Sequence, residues 1–154
     1  MHDHNLVVHA SDPPHGRGWS PLTWQVLEGA QRIPVTLLEA AESVDAGDIY
    51  LQEWFDLAGH ELLDQLRDQV AQATLSLCRT FVGEYPNVLR KARLQSGEPS
   101  YYPRRGPEDS ELNPDKSLAE QFDVLRVVDS ERYPAFFKIR GQRYHLRIEK
   151  ASGE

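Results

Sequence analysis

The chain has 154 residues, enough for one domain, and 40% of them are hydrophobic, which excludes a disordered polypeptide. The single cysteine, Cys78, excludes an intramolecular disulfide and any cysteine-built zinc site. The net charge of −7 argues against general nucleic-acid binding.

That charge is uneven. Residues 1–89 hold four Lys/Arg and thirteen Asp/Glu, whereas residues 90–154 hold thirteen and eleven. An anionic ligand is therefore expected near the second half. No apolar run approaches the ~18 residues of a membrane span. The segment from Met1 to His9 has no basic stretch followed by a long apolar one, so no signal peptide is read and a cytoplasmic protein is expected.

In chain order, Leu6-Val7-Val8 reads as a short strand covered on both faces. The stretch from Ser11 to Trp19, with Pro13, Pro14, Gly16 and Gly18, is a loop. Ser20-Pro21 opens a helix as N-cap and first-turn proline, and Gly29 closes it. Pro34 to Leu38 is strand-like, Ser43 to Asp48 a turn, and Ile49 to Phe55 a second extended segment.

The longest predicted helix runs from about Glu61 to Val82. Its apolar positions Leu62, Leu66, Val70, Ala73, Leu77 and Phe81 step by four or three, and Pro86 stops it. Cys78 lies within this run and is expected in the core. Residues 96–115 form a loop. Ser117 and Glu120 make a capping box for a second helix, whose apolar face is Leu118, Phe122 and Leu125. The chain ends on a hairpin, Phe136 to Ile139 and Tyr144 to Ile148, with Tyr144, Leu146 and Ile148 on its buried face.

A candidate site emerges from the strand ends. His9 closes the first strand before a glycine- and proline-rich loop, and ligands of open α/β sheets bind at such edges. Asp45 lies in a tight turn after another strand. An aspartate can orient an imidazole and stabilise its charged form, as in general-base pairs. The alternative is a strand-end histidine bonded to backbone and an aspartate that shapes its own turn.

Several motifs carry a resemblance. His9-Ala10-Ser11-Asp12-Pro13-Pro14, then Arg17-Gly18 and Pro21, resembles H-x-S-L-L-P…R-G…P. Trp24 to Gly29 resembles W-x-I-L-x-G, Val35-Thr36 resembles V-T, and Val44 to Asp48 resembles L-D-T-G-D. Tyr101 to Asp109 resembles Y-x-P-K/R…D. Leu125-Arg126 and Tyr133 to Phe136 resemble I-R-A…P-G-A-F. In order and interval these are similar to the folate-dependent N-formyltransferases, sugar N-formyltransferases and methionyl-tRNA formyltransferases among them.

The resemblance implies an α/β fold: part of the Rossmann-like formyltransferase parallel sheet, with flanking helices and a C-terminal β-hairpin. Residues 1–125 would be the C-terminal part of the catalytic domain, and 126–154 a hairpin extension packed on it. The implied activity moves a formyl group from N10-formyltetrahydrofolate, as co-substrate, to a primary amine. His9 and Asp45 fall on the catalytic His and Asp positions. Ser11, Ala41, Glu42 and Val44 would meet the folate. Arg17, Tyr102, Arg104 and Arg126 would meet the acceptor, expected to be a nucleotide-linked amino sugar. Nucleic acid and membrane are not expected partners.

Two departures accompany the resemblance. The family's Asn, an oxyanion donor, falls on Val7. Asn5 lies on the same strand face but about 6.6 Å further back at the usual rise, and losing one such donor costs about 10²–10³ in rate. The family's first strands also have no counterpart before Leu6. An edge left bare there is expected to pair with a second copy, giving a homodimer or aggregates. The second reading is therefore a non-catalytic remnant or binding module on the same fold. His2, Asp3, His4, His9 and His15 include a weak chelating spacing, but no specific metal site is expected.

Overall fold

A computed structural model describes residues 4–151. In chain order these form β1 (Leu6–His9), β2 (Arg17–Gly18), α1 (Pro21–Leu27), β3 (Arg32–Glu39) and β4 (Ile49–Asp56). They continue with α2 (Leu63–Glu84), β5 (Tyr101–Tyr102), α3 (Phe122–Val127), β6 (Ala135–Ile139) and β7 (Gln142–Leu146). Among the described residues no helix is long and apolar enough to cross a membrane.

The centre of the molecule is β3. Its residues Ile33 to Leu38 are buried on both faces, which suits its apolar, β-branched composition. Val35 and Leu37 pack against Ala73, Leu77 and Phe81 of α2. Ile33 packs with Val26 of α1, Leu66 of α2 and Val127 of α3. The apolar stripe of α2 thus meets the sheet as its periodicity predicts, each fully buried side chain contributing roughly 1.5–3 kcal/mol. Thr36 points the other way, donating its hydroxyl to the carbonyl of Ser11 at 2.7 Å.

The α/β class holds, but strand direction differs from the expected parallel sheet. The three-stranded sheet has the order β1-β3-β4, and both pairings are antiparallel. A short turn joins β3 to β4, and a connection that short permits only antiparallel neighbours. Parallel pairing occurs between β2 and β5, Arg17 opposite Tyr101 and Gly18 opposite Tyr102, and at an isolated bridge of Glu111 with Phe136. Among the described residues β1 has one partner, β3, so its other edge is open. Its covering is also thinner than expected: Leu6 is exposed, Val7 and Val8 are half-buried, and only His9 is buried.

The C-terminal part has a small core of Leu112, Leu125, Val128 and Ala135, joined by Phe137, Leu146 and Ile148. The hairpin pairs Phe136 with His145 and Phe137 with Tyr144. Ser117 and Glu120 exchange capping hydrogen bonds as expected. Three packing expectations fail. Leu118 is 64% exposed because the α-helix proper starts at Phe122, past the first turn. Tyr144 stacks on Phe137 from the open side of the hairpin and stays 47% exposed. Cys78 is exposed, because it is one residue, about 100° around the helix, past the buried Leu77.

Candidate active site

His9 is the last residue of β1 and is buried, opposite Thr36 on the loop-facing side of the sheet. Its Nε2 lies 2.8 Å from the carbonyl oxygen of Gly16. Its Nδ1 lies 3.6 Å from Asp45 Oδ2, and both side chains are largely covered. The structure therefore brings together the two strand-end residues singled out above, 36 positions apart in sequence. The Gly16 carbonyl and the Asp45 carboxylate thus hold the ring in place from two sides.

The turn after β3 presents Asp45. Its backbone is left-handed at φ 53°, a conformation that aspartate tolerates better than most residues. Oδ2 also accepts the Gly18 N–H at 3.0 Å, while Oδ1 has no hydrogen bond among the described residues. Gly47 lets the turn close: a Cβ there would overlap the Glu39 carbonyl oxygen. Glu39 anchors the turn's base by accepting from Tyr50 Oη at 2.9 Å and the Asn5 N–H at 2.8 Å. Burial pushes the Glu39 carboxyl up, but the Asn5 N–H, Tyr50 hydroxyl and His4 ring together hold it below its usual range. Burial, with Glu39 beside it, pushes the Tyr50 hydroxyl up to about 12.

A second layer fixes the 10–19 loop. Gln95 donates to the carbonyls of Asp45 and Gly47, both at 2.8 Å, and accepts from the Arg17 guanidinium. Arg17 also reaches Tyr101 Oη at 3.1 Å. Gln52 donates to Asp12 at 2.8 Å and to Thr36 at 2.9 Å. The Tyr102 ring stacks on Trp24 at 6.0 Å and lies against Gly16, where a Cβ would come within 2.8 Å of it. Its hydroxyl donates to Glu28, and burial with that carboxylate raises it to about 12. Gln52 and Gln95 were not foreseen, since lone glutamines carry no pattern in sequence. Asp12 and Gly16 were visible only as part of a loop.

The other residues implied by the resemblance fall out unevenly. Ser11 is buried and its hydroxyl has no partner, so it presents a free donor and acceptor beneath the loop. Ala41, Glu42 and Val44 lie exposed on the tip of the β3–β4 turn. Asn5 is exposed, and the hydrogen bonds it makes to Glu39 and Ala40 are through its backbone. Val7, not Asn5, shares the face of His9 two residues away. Arg104 stacks on the exposed ring of Trp19 at 5.1 Å.

Arg126, expected to meet the acceptor, is held in a network of its own. It is buried, with Nε on the Glu61 carbonyl at 3.1 Å and its two amino groups on Glu61 at 2.9 Å and Asp123 at 2.8 Å. Glu61 in turn accepts the Ala58 and Gly59 N–H groups. Burial pushes the Glu61 carboxyl up, but those N–H groups and the guanidinium hold it below its usual range. The burial has a simple cause: α3 packs on α1 and on the start of α2, so its arginine turns inward to Glu61 and Asp123.

Of the residues with a weak chelating spacing, His2 and Asp3 lie outside the described residues. His4 binds Glu39 and His9 binds Gly16, and no group of three or more potential metal ligands occurs among the described residues. A cleft of about 450 Å³ lined by Leu62, Arg67, Leu125 and Ile148 lies apart from His9 and Asp45.

No protein-family profile matches the chain. It is 21% identical over 147 residues to the methionyl-tRNA formyltransferase of Mycoplasma capricolum, covering 95% of this chain and 46% of that protein. Among solved structures, methionyl-tRNA formyltransferase from Clostridium thermocellum is 27% identical with a TM-score of 0.75, over 97% of this chain and 64% of that one. A 4-N formyltransferase from Francisella tularensis is 21% identical with a TM-score of 0.75, over 96% and 62%. HypX from Aquifex aeolicus, in complex with tetrahydrofolic acid, is 22% identical with a TM-score of 0.66, over 93% and 25%. The chain spans about half the length of the curated relative it matches. In sequence and in fold it is similar, along nearly its whole length, to part of these formyltransferases.

Proposed function

We propose that this chain carries the His–Asp half of a formyltransferase site. Such a site would transfer a formyl group from N10-formyltetrahydrofolate to a primary amine. The observation that carries the reading is the buried His9–Asp45 pair at 3.6 Å, presented at the sheet edge by two loops. The Clostridium and Francisella relatives are formyltransferases by name, and HypX holds tetrahydrofolate.

In this reading the amine nitrogen bonds to the formyl carbon, and the carbonyl oxygen takes the electron pair. Collapse of that intermediate breaks the bond to N10 of the folate, which takes the proton that Asp45 has accepted from the amine. Oδ1 of Asp45, free of hydrogen bonds among the described residues, accepts the proton that the amine loses. His9, held between Gly16 and Asp45, positions the Asp45 carboxylate for that transfer. The free Ser11 hydroxyl and the exposed Ala41–Val44 turn offer the polar groups that a folate head would meet. Arg17, Tyr102 and Arg104 border the same loops on the acceptor side.

The acceptor we favour is an amino sugar linked to a nucleotide, because the basic residues lie in the second half of an acidic chain. A tRNA acceptor would need an extended basic face. A second reading, a binding module without turnover, is favoured by Val7, which puts no donor where the resemblance expects the oxyanion asparagine. The open edge of β1 suits pairing with a second copy.

The test is mass-spectrometric detection of formylated product from N10-formyltetrahydrofolate, with amino-sugar nucleotides and methionyl-tRNA offered separately. Transfer to the sugar nucleotide supports the reading. Transfer to tRNA alone changes the acceptor. Folate binding without transfer to either points to the binding module.

A further inference from the structure

A second cleft, of about 190 Å³, lies between the start of α1, the start of α2, the 105–110 turn and the segment after α3. Three arginines line it: Arg67, Arg105 and Arg132. Four hydroxyl residues, Ser20, Thr23, Ser110 and Tyr133, complete much of its wall.

The hydrogen bonding of these residues is sparse. Arg67 uses one amino group on Asp129 at 3.3 Å. Arg105 uses one on the Asp109 carbonyl at 2.6 Å. The Arg132 guanidinium makes no hydrogen bond or ion pair among the described residues. Each guanidinium has five N–H donors, so most of the donors around this cleft are unspent. Arg105 is half covered, and burial, only partly offset by Asp109, pushes its guanidinium down from its usual value. A covered cation without a matching carboxylate is what an anion would relieve.

The hydroxyls point the same way. Ser110 is 4% exposed, and its hydroxyl makes no hydrogen bond among the described residues. Ser20 sits at the N-cap of α1 with a left-handed backbone and makes no side-chain cap bond, which leaves its hydroxyl to the cleft. The one carboxylate in the wall, Asp129, is already occupied by the Glu131 and Arg132 N–H groups and by Arg67. Those N–H groups, against the pull of burial, hold its carboxyl below the usual range. The cleft therefore keeps an uncompensated excess of positive charge.

A relay of contacts links it to the histidine site. Arg105 lies 5.7 Å over the Trp24 ring, Trp24 stacks on Tyr102, and Tyr102 packs against Gly16, whose carbonyl holds His9. We infer that this cleft binds the phosphate group of the acceptor molecule, through Arg67, Arg105 and Arg132 with Ser110 as a further donor. Forked guanidinium groups suit phosphate oxygens, which each can meet with paired N–H bonds. A cleft of this size fits one phosphate or diphosphate group and not an extended polynucleotide backbone. The link to an acceptor rests on the formyl-transfer reading; the anion site does not.

The test is calorimetric titration of the full chain with inorganic pyrophosphate, then with a short single-stranded RNA. Pyrophosphate binding that weakens with salt, and falls at least ~10-fold in Arg132→Gln and in Arg67→Gln, supports the site; each lost guanidinium–phosphate contact of ~1.4 kcal/mol is a factor of ten. Circular dichroism melts check that both variants fold, and since both side chains are largely exposed, at least one variant is expected to melt like the parent. Absence of pyrophosphate binding, or binding unchanged in the folded variant, overturns the proposal. So does RNA binding that exceeds pyrophosphate binding and falls in the same variants, since the cleft would then serve a polynucleotide. Pyrophosphate binding with no formyl transfer to any phosphorylated amine retains the site and rejects the formyl-transfer reading.

Discussion

Two buried pairs of ionisable side chains stand on opposite sides of β3, and they are built differently. His9 and Asp45 lie on the Thr36 side, 3.6 Å apart, with one carboxylate oxygen unspent. Arg126 and Glu61 lie beside the helices that cover Ile33, 2.9 Å apart, with the guanidinium shared between Glu61 and Asp123. Glu61 is closed further by two backbone N–H groups. Burial and a buried carboxylate are common to both pairs. What separates them is spare hydrogen-bonding capacity, and it is the pair with capacity left that can take part in chemistry.

The comparison breaks most sharply at Asp45. Asp45→Asn removes the proton acceptor, so formyl transfer should fall roughly 10²–10⁴-fold, the usual worth of general acid–base catalysis. The melting temperature should stay close to the parent, because the amide can still accept from Gly18. Rates of product formation and a thermal melt on the same sample check both halves. A large stability loss with little change in rate would mean that Asp45 merely shapes its turn.

Arg126→Ala should do the reverse. It leaves the Glu61 carboxylate buried without its cation, at a cost of about 3–5 kcal/mol. Urea unfolding measures this, and the KM values of whatever remains folded should be unchanged. A selective rise in the acceptor's KM would restore Arg126 as a substrate ligand.

A smaller effect appears with pH. Glu61 titrates below its usual 4.5 when folded, so its contribution to stability is full above that value and is lost as pH falls through the folded value. Stability should therefore drop below pH 4.5, and Glu61→Gln should flatten that acid limb in urea titrations at several pH values. An unchanged limb would place the acid sensitivity in other carboxylates.

The smallest effect is expected at Cys78. Cys78→Ser should shift stability by less than about 0.5 kcal/mol, and a thiol reagent should label the native protein without prior unfolding. Protection from labelling would return the thiol to the core and shift the packing face of α2.

The periodic elements were legible without coordinates. Leu66, Ala73, Leu77 and Phe81 step as one helix face must, so α2 and its contact with the sheet follow from spacing alone. The Ser117–Glu120 capping pair and the terminal hairpin are equally local. His9 and Asp45 could be named from motif order, since the residues around them retain a recognisable pattern of His, Pro, Gly and Asp.

Tertiary structure alone decided the rest. The antiparallel pairing of β1 with β3 depends on which edge is left beside a strand, and apolar composition does not encode that. The fate of each arginine depends on its neighbours: Arg126 closes on Glu61 and Asp123, while Arg105 finds only one carbonyl and an indole face. Cys78 misses the core by a single helical step, a distinction finer than a hydrophobic run conveys. Gln52 and Gln95, lone polar residues with no motif, become the bonds that fix the site's loops only because folding brings them beside Asp12 and the Asp45 turn. Local periodicity is a property of neighbouring residues and can be read from their order; a partner 50 positions away in sequence, as Gln95 is for Asp45, is chosen by the packing of the whole.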